Sequence, residues 1–479
     1  MKNIFSGGVF FVLSMYTVNG QDTLWTFQNC INYAIEHNVP YKQQELSHEI
    51  TSYNLKKAEA SRWPDLNFNG SQNFQYGRTV DPFTYQFTTA NNRSGNYQLS
   101  SSLLIFNGLQ NHNNIRSQRI GYKAEEFDIE KYKNDLMVNV LNAFLQVLLN
   151  EDLVHVGQLQ VESSQALVDR TEKLVQAGSL AQSNLLQVEA QLATDRYTLI
   201  NDQNQLLLAK VSLMQLMELP VTDSFNVARP NVERTLLETA SLPLLGSNEV
   251  YDSALYALPD IKAARFYVES SKYALKSAYG GYYPSLTVSG SVGSGYSSAQ
   301  KLFSTTFDTV TQQIGYLAGN PSQTVLAEIP VQHSTPENYP FKKQLKNNLS
   351  ERVNINLSIP IYNNNQSRTN VSIAKVNLLN QKYNLDNAKN TLRKEVEQSV
   401  TDLKAARLNY EAAMEQQKTN ERAYKDAEKK YELGLIQAYD LLVAKNNYIQ
   451  AQANLQRAIY QFIFSAKVID YYIGKPIQF

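Results

Sequence analysis

The sequence predicts a mixed α/β membrane protein in which a transmembrane β-barrel, completed by trimerisation, continues into a long α-helical coiled-coil barrel. Three observations support this fold class. The two halves of the chain match each other, each half holds two short segments with strand-like alternation, and each half holds one very long segment without proline. The prediction is therefore an internal duplication with four strands per chain and helices too long for a globular core.

The composition of the chain argues against several other classes of protein. The 479 residues include 44 Lys and Arg against 44 Asp and Glu, so the formal net charge is zero and a nucleic-acid partner is not expected. A mean hydropathy of −0.38 argues against a bundle of membrane-spanning helices. The single cysteine, Cys30, excludes an intrachain disulfide and a cysteine-based metal cluster.

The first 20 residues are typical of a secretory signal peptide. Lys2 precedes an apolar stretch from about Ile4 to Val18, and Gly20 provides a small residue at the expected cleavage point. A buried N-terminal helix is the alternative interpretation. The signal peptide predicts export of the mature chain.

The duplication divides the mature chain into repeat 1 (21–245) and repeat 2 (246–479). Residues 63–71 match 283–291 at an offset of 220, whereas 176–193 match 432–449 at an offset of 256. The change in offset places 36 additional residues between the two strands of repeat 2, in a loop at about 293–352. Its proline and glycine content predicts an irregular loop, which we expect on the outer side of the membrane.

Each repeat reads as an opening helix of about 35 residues (27–62 in repeat 1), two strands, a long helix, a glycine turn and a returning helix. Alternation of Val353, Ile355 and Leu357 with polar residues indicates a strand of about nine to eleven residues, enough to span a bilayer when tilted. The long helices, at 109–176 and 365–432, would each measure on the order of 100 Å. Apolar residues repeat every 3.5 positions along both returning helices, which predicts coiled-coil packing.

Aromatic residues stand where the predicted strands begin. Trp63, Tyr282 and Tyr283 lie beside prolines at these positions, as an aromatic belt at the membrane interface would require, although ordinary packing at helix ends also accounts for them. Four strands cannot close a barrel, and an open edge facing lipid is costly, so several copies must assemble. Two copies would give eight strands and three would give twelve; a water-filled conduit favours three.

The pattern G-x-x-x-x-x-[DN]-L-L occurs at both glycine turns, at 178–186 and 434–442. With the duplicated plan and the signal peptide, it resembles the TolC-like outer-membrane channel family over essentially the whole mature chain. The resemblance implies a homotrimer in the outer membrane of a Gram-negative bacterium, with its helices in the periplasm. It further implies an equatorial belt made from the segment near 219–247 and the C-terminal tail. It also implies a periplasmic adaptor (membrane fusion protein), an inner-membrane transporter and surrounding lipid as partners, and export of drugs, small molecules or proteins.

The resemblance assigns roles to a few residues at the turns. Tyr431 and Asp440 match a gate tyrosine and a ring aspartate of similar proteins. Asn184 and Ile436 stand where a family member would pair an aspartate with an arginine, and Val443 stands where a second ring aspartate can occur. Asp440 is otherwise read as a solvated residue or an N-terminal cap about a turn and a half into its helix. The adaptor is expected to dock at the turns. Gly178 and Gly434 would let a partner backbone approach closely, and Leu180, Leu435 and Ile436 would offer exposed apolar side chains.

Enzymatic function has little support in the sequence. The five histidines show no metal-binding spacing such as HExxH, and the glycines at 290, 293 and 295 do not open a helix, so no cofactor or metal is expected. The competing interpretation is a secreted coiled-coil scaffold protein without channel activity. It does not account for the duplicated alternating segments. The sequence leaves the cargo, the cognate adaptor, and the choice between efflux and protein secretion open.

Overall fold

The computed structural model describes residues 24–80, 85–89, 91–222, 225–232, 234–236 and 245–477. The predicted signal peptide lies outside the described residues. The chain forms two compact units: the first comprises the described parts of Met1–Ser52, Ile120–Glu269 and Leu379–Phe479, and the second comprises those of Tyr53–Arg119 and Ser270–Leu378. Within these ranges, no helix is both long enough and apolar enough to cross a bilayer.

Nine α-helices of seven or more residues lie in these ranges. They are α1 (Phe27–His37), α2 (Val39–Ala60), α3 (Gln110–Gln176), α4 (Gln182–Leu216), α5 (Ser247–Ala257), α6 (Pro259–Tyr279), α7 (Phe341–Asn347), α8 (Gln366–Glu432) and α9 (Ala438–Tyr472). The two long helices, α3 and α8, are confirmed and contain 67 residues each. The returning helices, α4 and α9, contain 35 residues each.

The prediction of one opening helix per half is wrong, because both are broken. In the first half the chain leaves helical geometry at Asn38, whose side-chain oxygen accepts from the Tyr41 amide at 3.0 Å. In the second half Leu258 is extended and Pro259 begins the next helix. Proline disfavours helical geometry at the residue before it and lacks an amide hydrogen, so Pro40 and Pro259 were visible signals for these breaks.

Four antiparallel strands form the sheet of the second unit in the order β1-β4-β5-β8. Their bounds are β1 (Asn67–Gln75), β4 (Asn92–Asn107), β5 (Ser285–Ser297) and β8 (Ser350–Ser358). The alternation of apolar residues that predicts β8 continues in the sequence through Ile359 and Ile361, but the strand ends at Ser358. Pro360 follows closely and cannot donate to a strand ladder. Among the described strands, β1 and β8 are the two edges of this sheet, so it is open in the part of the chain that the structure describes.

The prediction of an irregular loop at about 293–352 is also wrong. The segment forms a long hairpin of β6 (Lys301–Leu317) and β7 (Asn320–Asn338), followed by α7; a shorter hairpin, β2 (Thr79–Val80) and β3 (Phe87–Thr88), lies in the first half. Pro330 pairs with Thr309, and Pro336 pairs with Phe303. The two prolines are an even number of residues apart, so both can direct their nitrogen to the free edge without losing a ladder hydrogen bond.

Gln344 of α7 anchors the base of this hairpin. Its buried amide accepts from the Ser297 backbone nitrogen at 2.9 Å and donates to the Ser297 oxygen at 3.0 Å, which imitates a strand partner at the end of β5. Phe341 packs edge-on against Tyr296, with ring centroids 5.1 Å apart. The hairpin is therefore fixed to the sheet by specific contacts.

The largest apolar core lies in the first unit, where α1, α3, α4 and α9 pack together. The predicted 3.5-residue seam of α4 is buried: Leu185, Val188 and Leu192 lie in a separate cluster near the start of the helix, and Leu213 lies in this core. Cys30 is fully buried in the same core. Burial raises the pKa of the Cys30 thiol to about 12, so the thiol stays protonated at neutral pH.

Candidate functional site at the helix turns

The turns from α3 to α4 and from α8 to α9 share one backbone geometry. Gly178 and Gly434 are left-handed, with φ of 72° and 71°. At the first turn the Gly178 amide donates to Val175 and the Ser179 amide donates to Leu174, each at 2.9 Å, and Gly434 and Leu435 repeat this arrangement. These are Schellman caps, which need a residue that tolerates positive φ.

An apolar cluster, called here the tip cluster, joins the two turns within the first unit. Its buried members are Val168, Leu185, Val188, Leu192, Tyr431, Ala438, Leu441 and Leu442. Leu180 and Ile436 pack against it and are partly buried. The expectation that both are exposed is wrong, because each follows its glycine by two residues and the cap folds the chain back over the helix end.

Among the apolar side chains of the expected docking set, that of Leu435 remains strongly exposed, at 69%. Leu433 is exposed at 74% on the other side of Gly434, although the sequence did not single it out. Nothing in the described residues lies within 4 Å of the position that a Cβ would take at Gly178 or Gly434. Each turn therefore offers accessible backbone, and the second also offers two exposed leucines.

Polar contacts join α3 to α8 just before the turns. The Thr171 and Tyr431 hydroxyl oxygens lie 3.2 Å apart, and both residues are buried. Arg170 donates to Glu432 at 2.8 Å, but both side chains are about half exposed, so this pair contributes little. The sequence did not single out Thr171, Arg170 or Glu432, because their contacts depend on how α3 meets α8 and no sequence pattern marks them.

Asn184 and Asp440 occupy the same place in their helices. Each is the third residue of its returning helix, and the amides of Asn184 and Asp440 donate to Ala181 and Gln437, respectively. Asp440 is exposed and lies in the first turn of α9, not a turn and a half into the helix as expected. The N-cap is Gln437, so the alternative role of Asp440 as the cap is also wrong. Its charge suits the positive end of the helix dipole.

The predicted interface aromatics lie in the second unit, close to the starts of β1 and β5. Trp63, Tyr282 and Tyr283 are all exposed. Near them, the turn after β4 approaches the end of α6 so closely that a Cβ at Gly108 would lie 2.4 Å from the Gly280 oxygen. Among the residues described, no group of three His, Cys, Asp or Glu side chains is arranged to hold a metal ion.

Comparisons with known proteins agree with this architecture. Residues 30–218 and 250–469 match a family model described as Outer membrane efflux protein. Outer membrane efflux protein BepC from Brucella suis biovar 1 (strain 1330) is 19% identical over 457 residues, covering 95% of this chain and 87% of the relative. This similarity extends over both halves of the chain.

Solved structures show the same fold at low identity. The Campylobacter jejuni CmeC outer membrane channel matches with a TM-score of 0.72 at 17% identity, covering 94% of this chain and 85% of that one. VceC from Vibrio cholerae gives a TM-score of 0.70 at 15% identity, with coverages of 94% and 97%. The open state of the MtrE channel from Neisseria gonorrhoeae gives 0.71 at 16% identity, with coverages of 94% and 89%.

Proposed function

The chain belongs to the outer membrane efflux protein family, and from that premise we propose that it forms a homotrimeric export duct in the outer membrane. The duct passes drugs, small molecules or proteins from an inner-membrane transporter, through a periplasmic adaptor, to the cell exterior. The two halves of the chain, with long helices of equal length, derive from an internal duplication. The chain is a transport protein rather than an enzyme.

The open sheet is the observation that carries the proposal. β1 and β8 have one partner each within the chain, and unpaired backbone groups at a sheet edge cost several kcal/mol each in lipid, on the order of 2–7 per group. Pairing β8 of one copy with β1 of the next removes both edges. Three copies give twelve strands, a barrel wide enough to hold water, whereas an eight-stranded barrel is filled by side chains.

A second coiled-coil seam on α4 supports assembly. Leu186, Tyr197, Ile200 and Leu207 are all exposed, and Leu186, Ile200 and Leu207 are separated by multiples of seven residues. This face lies beside the seam that α4 buries inside its own chain. We assign it to a neighbouring copy, since a heptad repeat of apolar residues is the pattern that packs one helix against another.

The tip cluster and its flanking contacts form the proposed periplasmic gate. Tyr431, Asp440 and Asn184 are its candidate residues, with Thr171 as the hydrogen-bond partner of Tyr431. The adaptor docks at Gly178, Leu180, Gly434, Leu435 and Ile436, of which Leu435 gives the exposed apolar contact and the glycines give backbone access.

The second unit carries the proposed membrane contacts. Trp63, Tyr282 and Tyr283 lie at the lipid interface on the side of the sheet from which the helices depart. The β6–β7 hairpin lies at the opposite end of β5 and β8 and is placed outside the cell.

Mass measurement of the detergent-solubilised complex tests the assembly, and planar-bilayer conductance tests the duct. We expect three copies and a conducting pore. Ile200→Glu should lower the yield of trimer because it places a charge in the free α4 seam, whereas Gln205→Glu, on another face of α4, should not. A stable monomer or dimer contradicts the proposal, and a detergent-independent, non-conducting protein would instead indicate the scaffold.

A further inference from the structure

A lysine is buried inside the helical part of the first unit. Lys445 of α9 is 2% exposed, and its Nζ donates to the Ser164 Oγ of α3 at 2.7 Å. The Ser164 hydroxyl donates onward to Asp195 of α4. Asp195 also accepts from Gln160 at 2.9 Å and from Gln191 at 2.8 Å. One polar cluster thus links the returning helix of the second half to both helices of the first.

The ammonium group of Lys445 is incompletely paired. It has three donors, yet among the described residues its hydrogen-bond partner is Ser164 alone, and no carboxylate makes a direct ion pair with it. Asp195, by contrast, is satisfied by three donors. A charge taken from water into such a site raises the free energy of the packed state unless close partners compensate for the lost hydration.

The helices packed around Lys445 differ in the charge that they bring to it. Asp195 faces Lys445 from α4 and Glu428 faces it from α8, and both attract the ammonium; α3 contributes the neutral Ser164 and Gln160. Burial outweighs this attraction and lowers the pKa of Lys445 to about 8. Burial raises the pKa values of the nearby stacked tyrosines, Tyr424 and Tyr448, so both hydroxyls stay neutral between pH 7 and 9.

We propose that Lys445 is a positioning residue of the gate, whose buried positive charge weakens the packing of α9 against α3 and α4 and so favours opening. Opening separates α9 from Ser164 and lets water reach the ammonium. The inference rests on the proposed function, because it requires a gate that opens. The equilibrium between the open and the closed gate then depends on whether the Lys445 side chain is protonated.

The sign of the pH effect follows from proton binding. In the open state Lys445 is hydrated and has an ordinary pKa near 10.5, so between about pH 8 and 10.5 the open state binds more protons than the closed one. Raising the pH therefore favours the closed state, and we expect the ratio of open to closed channels to fall about tenfold from pH 7 to pH 9.

Planar-bilayer recordings of the full-length trimer test this, with the open fraction measured from pH 6 to 9.5. Lys445→Met should open less often at pH 7 than the wild type and should lose the fall between pH 7 and 9. Asp195→Asn should move the fall to lower pH, because it removes an attraction that keeps Lys445 protonated. The control, Lys425→Met, removes an exposed lysine that pairs with Glu421 and should keep the wild-type profile.

Two results would overturn the inference: a wild-type open fraction that does not change with pH, or the same pH profile in the wild type and Lys445→Met. If Lys445→Met fails to assemble, the position of the fall in Asp195→Asn decides, and an unshifted profile counts against the inference. A wild-type trimer without conductance would contradict the proposed export duct instead.

Discussion

The hydroxyl groups of Thr171 and Tyr431 lie 3.2 Å apart and join the two long helices close to their C-terminal ends. Both side chains are buried, and the Tyr431 ring is part of the tip cluster. The contact connects the first and second halves of the chain at the proposed gate. It is neutral, so it does not depend on ionic strength as a surface salt bridge would.

Tyr431→Phe should therefore make the gate easier to open. The ring keeps its packing, but the Thr171 hydroxyl loses its buried partner at a cost of about 1 kcal/mol, which corresponds to about a fivefold higher ratio of open to closed channels. Bilayer conductance measures this ratio. Tyr410→Phe, whose ring stacks on Phe462 away from the turns, is the control. Equal conductance in Tyr431→Phe and the wild type would exclude this hydrogen bond from the gate.

Substitutions of Gly434 should separate its conformational role from its docking role. Gly434→Ala meets no atom but forces positive φ on a residue with a Cβ, which should cost about 1 kcal/mol in the free energy of unfolding. Gly434→Asn tolerates this geometry better, so trimers should form, yet its side chain would obstruct a partner backbone and export should fall. Gly315→Ala, in open space without positive φ, is the control for both assays. Normal export by Gly434→Asn would remove the docking role.

Asp440→Asn should reduce cation preference and block by divalent ions added on the periplasmic side. Three copies would bring three exposed carboxylates to the gate, and such rings attract multivalent cations. Trimer yield should not change, because a first-turn acid contributes only about 0.3–1 kcal/mol to its helix. Asp426→Asn, which removes an exposed aspartate of α8 that pairs with Lys430, is the control. If Asp440→Asn has the same selectivity and block as the wild type, Asp440 faces away from the pore.

Tyr267→Phe should destabilise the helical unit in a pH-dependent way. The Tyr267 hydroxyl contacts Glu125 at 2.7 Å and Asp128 at 2.6 Å, and burial raises the pKa of Asp128 while this hydrogen bond lowers it. Loss of the Tyr267 hydroxyl should lower the free energy of unfolding by about 1.5–3 kcal/mol when the carboxylates are charged. Without the Tyr267 hydroxyl, the folded-state pKa of Asp128 is raised further, and a raised carboxyl pKa means that the folded state loses stability as the pH rises through it. Tyr267→Phe should therefore melt well below the wild type at pH 7 and close to it at pH 4.

Thermal unfolding at both pH values checks this expectation for Tyr267→Phe. Tyr273→Phe, whose ring contacts Arg116, should melt like the wild type at each pH. An identical loss in Tyr267→Phe at pH 4 and pH 7 would show that the carboxylates are not involved.

An epitope placed at the turn between β6 and β7 should be labelled on intact cells. The insertion site is the turn at Gly319, where φ is 94°. An insertion at a residue such as Ser334 would instead interrupt the hairpin, because Ser334 pairs with Thr305. An epitope after Ser179, at a turn proposed to lie in the periplasm, should be labelled only after permeabilisation. The reverse pattern would invert the proposed topology.

The parts of the fold with strong periodicity were predictable from sequence. α3 and α8 lack proline, α4 and α9 repeat apolar residues every 3.5 positions, and the G-x-x-x-x-x-[DN]-L-L pattern located both turns within a few residues. The β6–β7 hairpin escaped because both of its faces are exposed, so Thr, Ser and Gln fill it and no alternation of apolar residues marks the strands.

The polar contacts of the site were less predictable, because they depend on which helices meet. Asp195 lies on the 3.5-residue repeat of α4, three positions after Leu192, and an acid at such a position requires a buried partner. Its indirect partner, Lys445, is 250 positions further along the chain and stands between the seam residues Ala444 and Tyr448. Only the packing of α9 against α3 and α4 shows that these side chains belong together.

The burial of Cys30 makes the natural protein a clean background for spectroscopy. Its thiol is the only one in the sequence, is fully buried, and has a raised pKa, so little reactive thiolate is present at neutral pH. A spin label or fluorophore attached through a cysteine introduced at Leu433 or Leu435 would therefore report from that position alone. Distances between such labels across the assembled protein could follow the turns as they move apart.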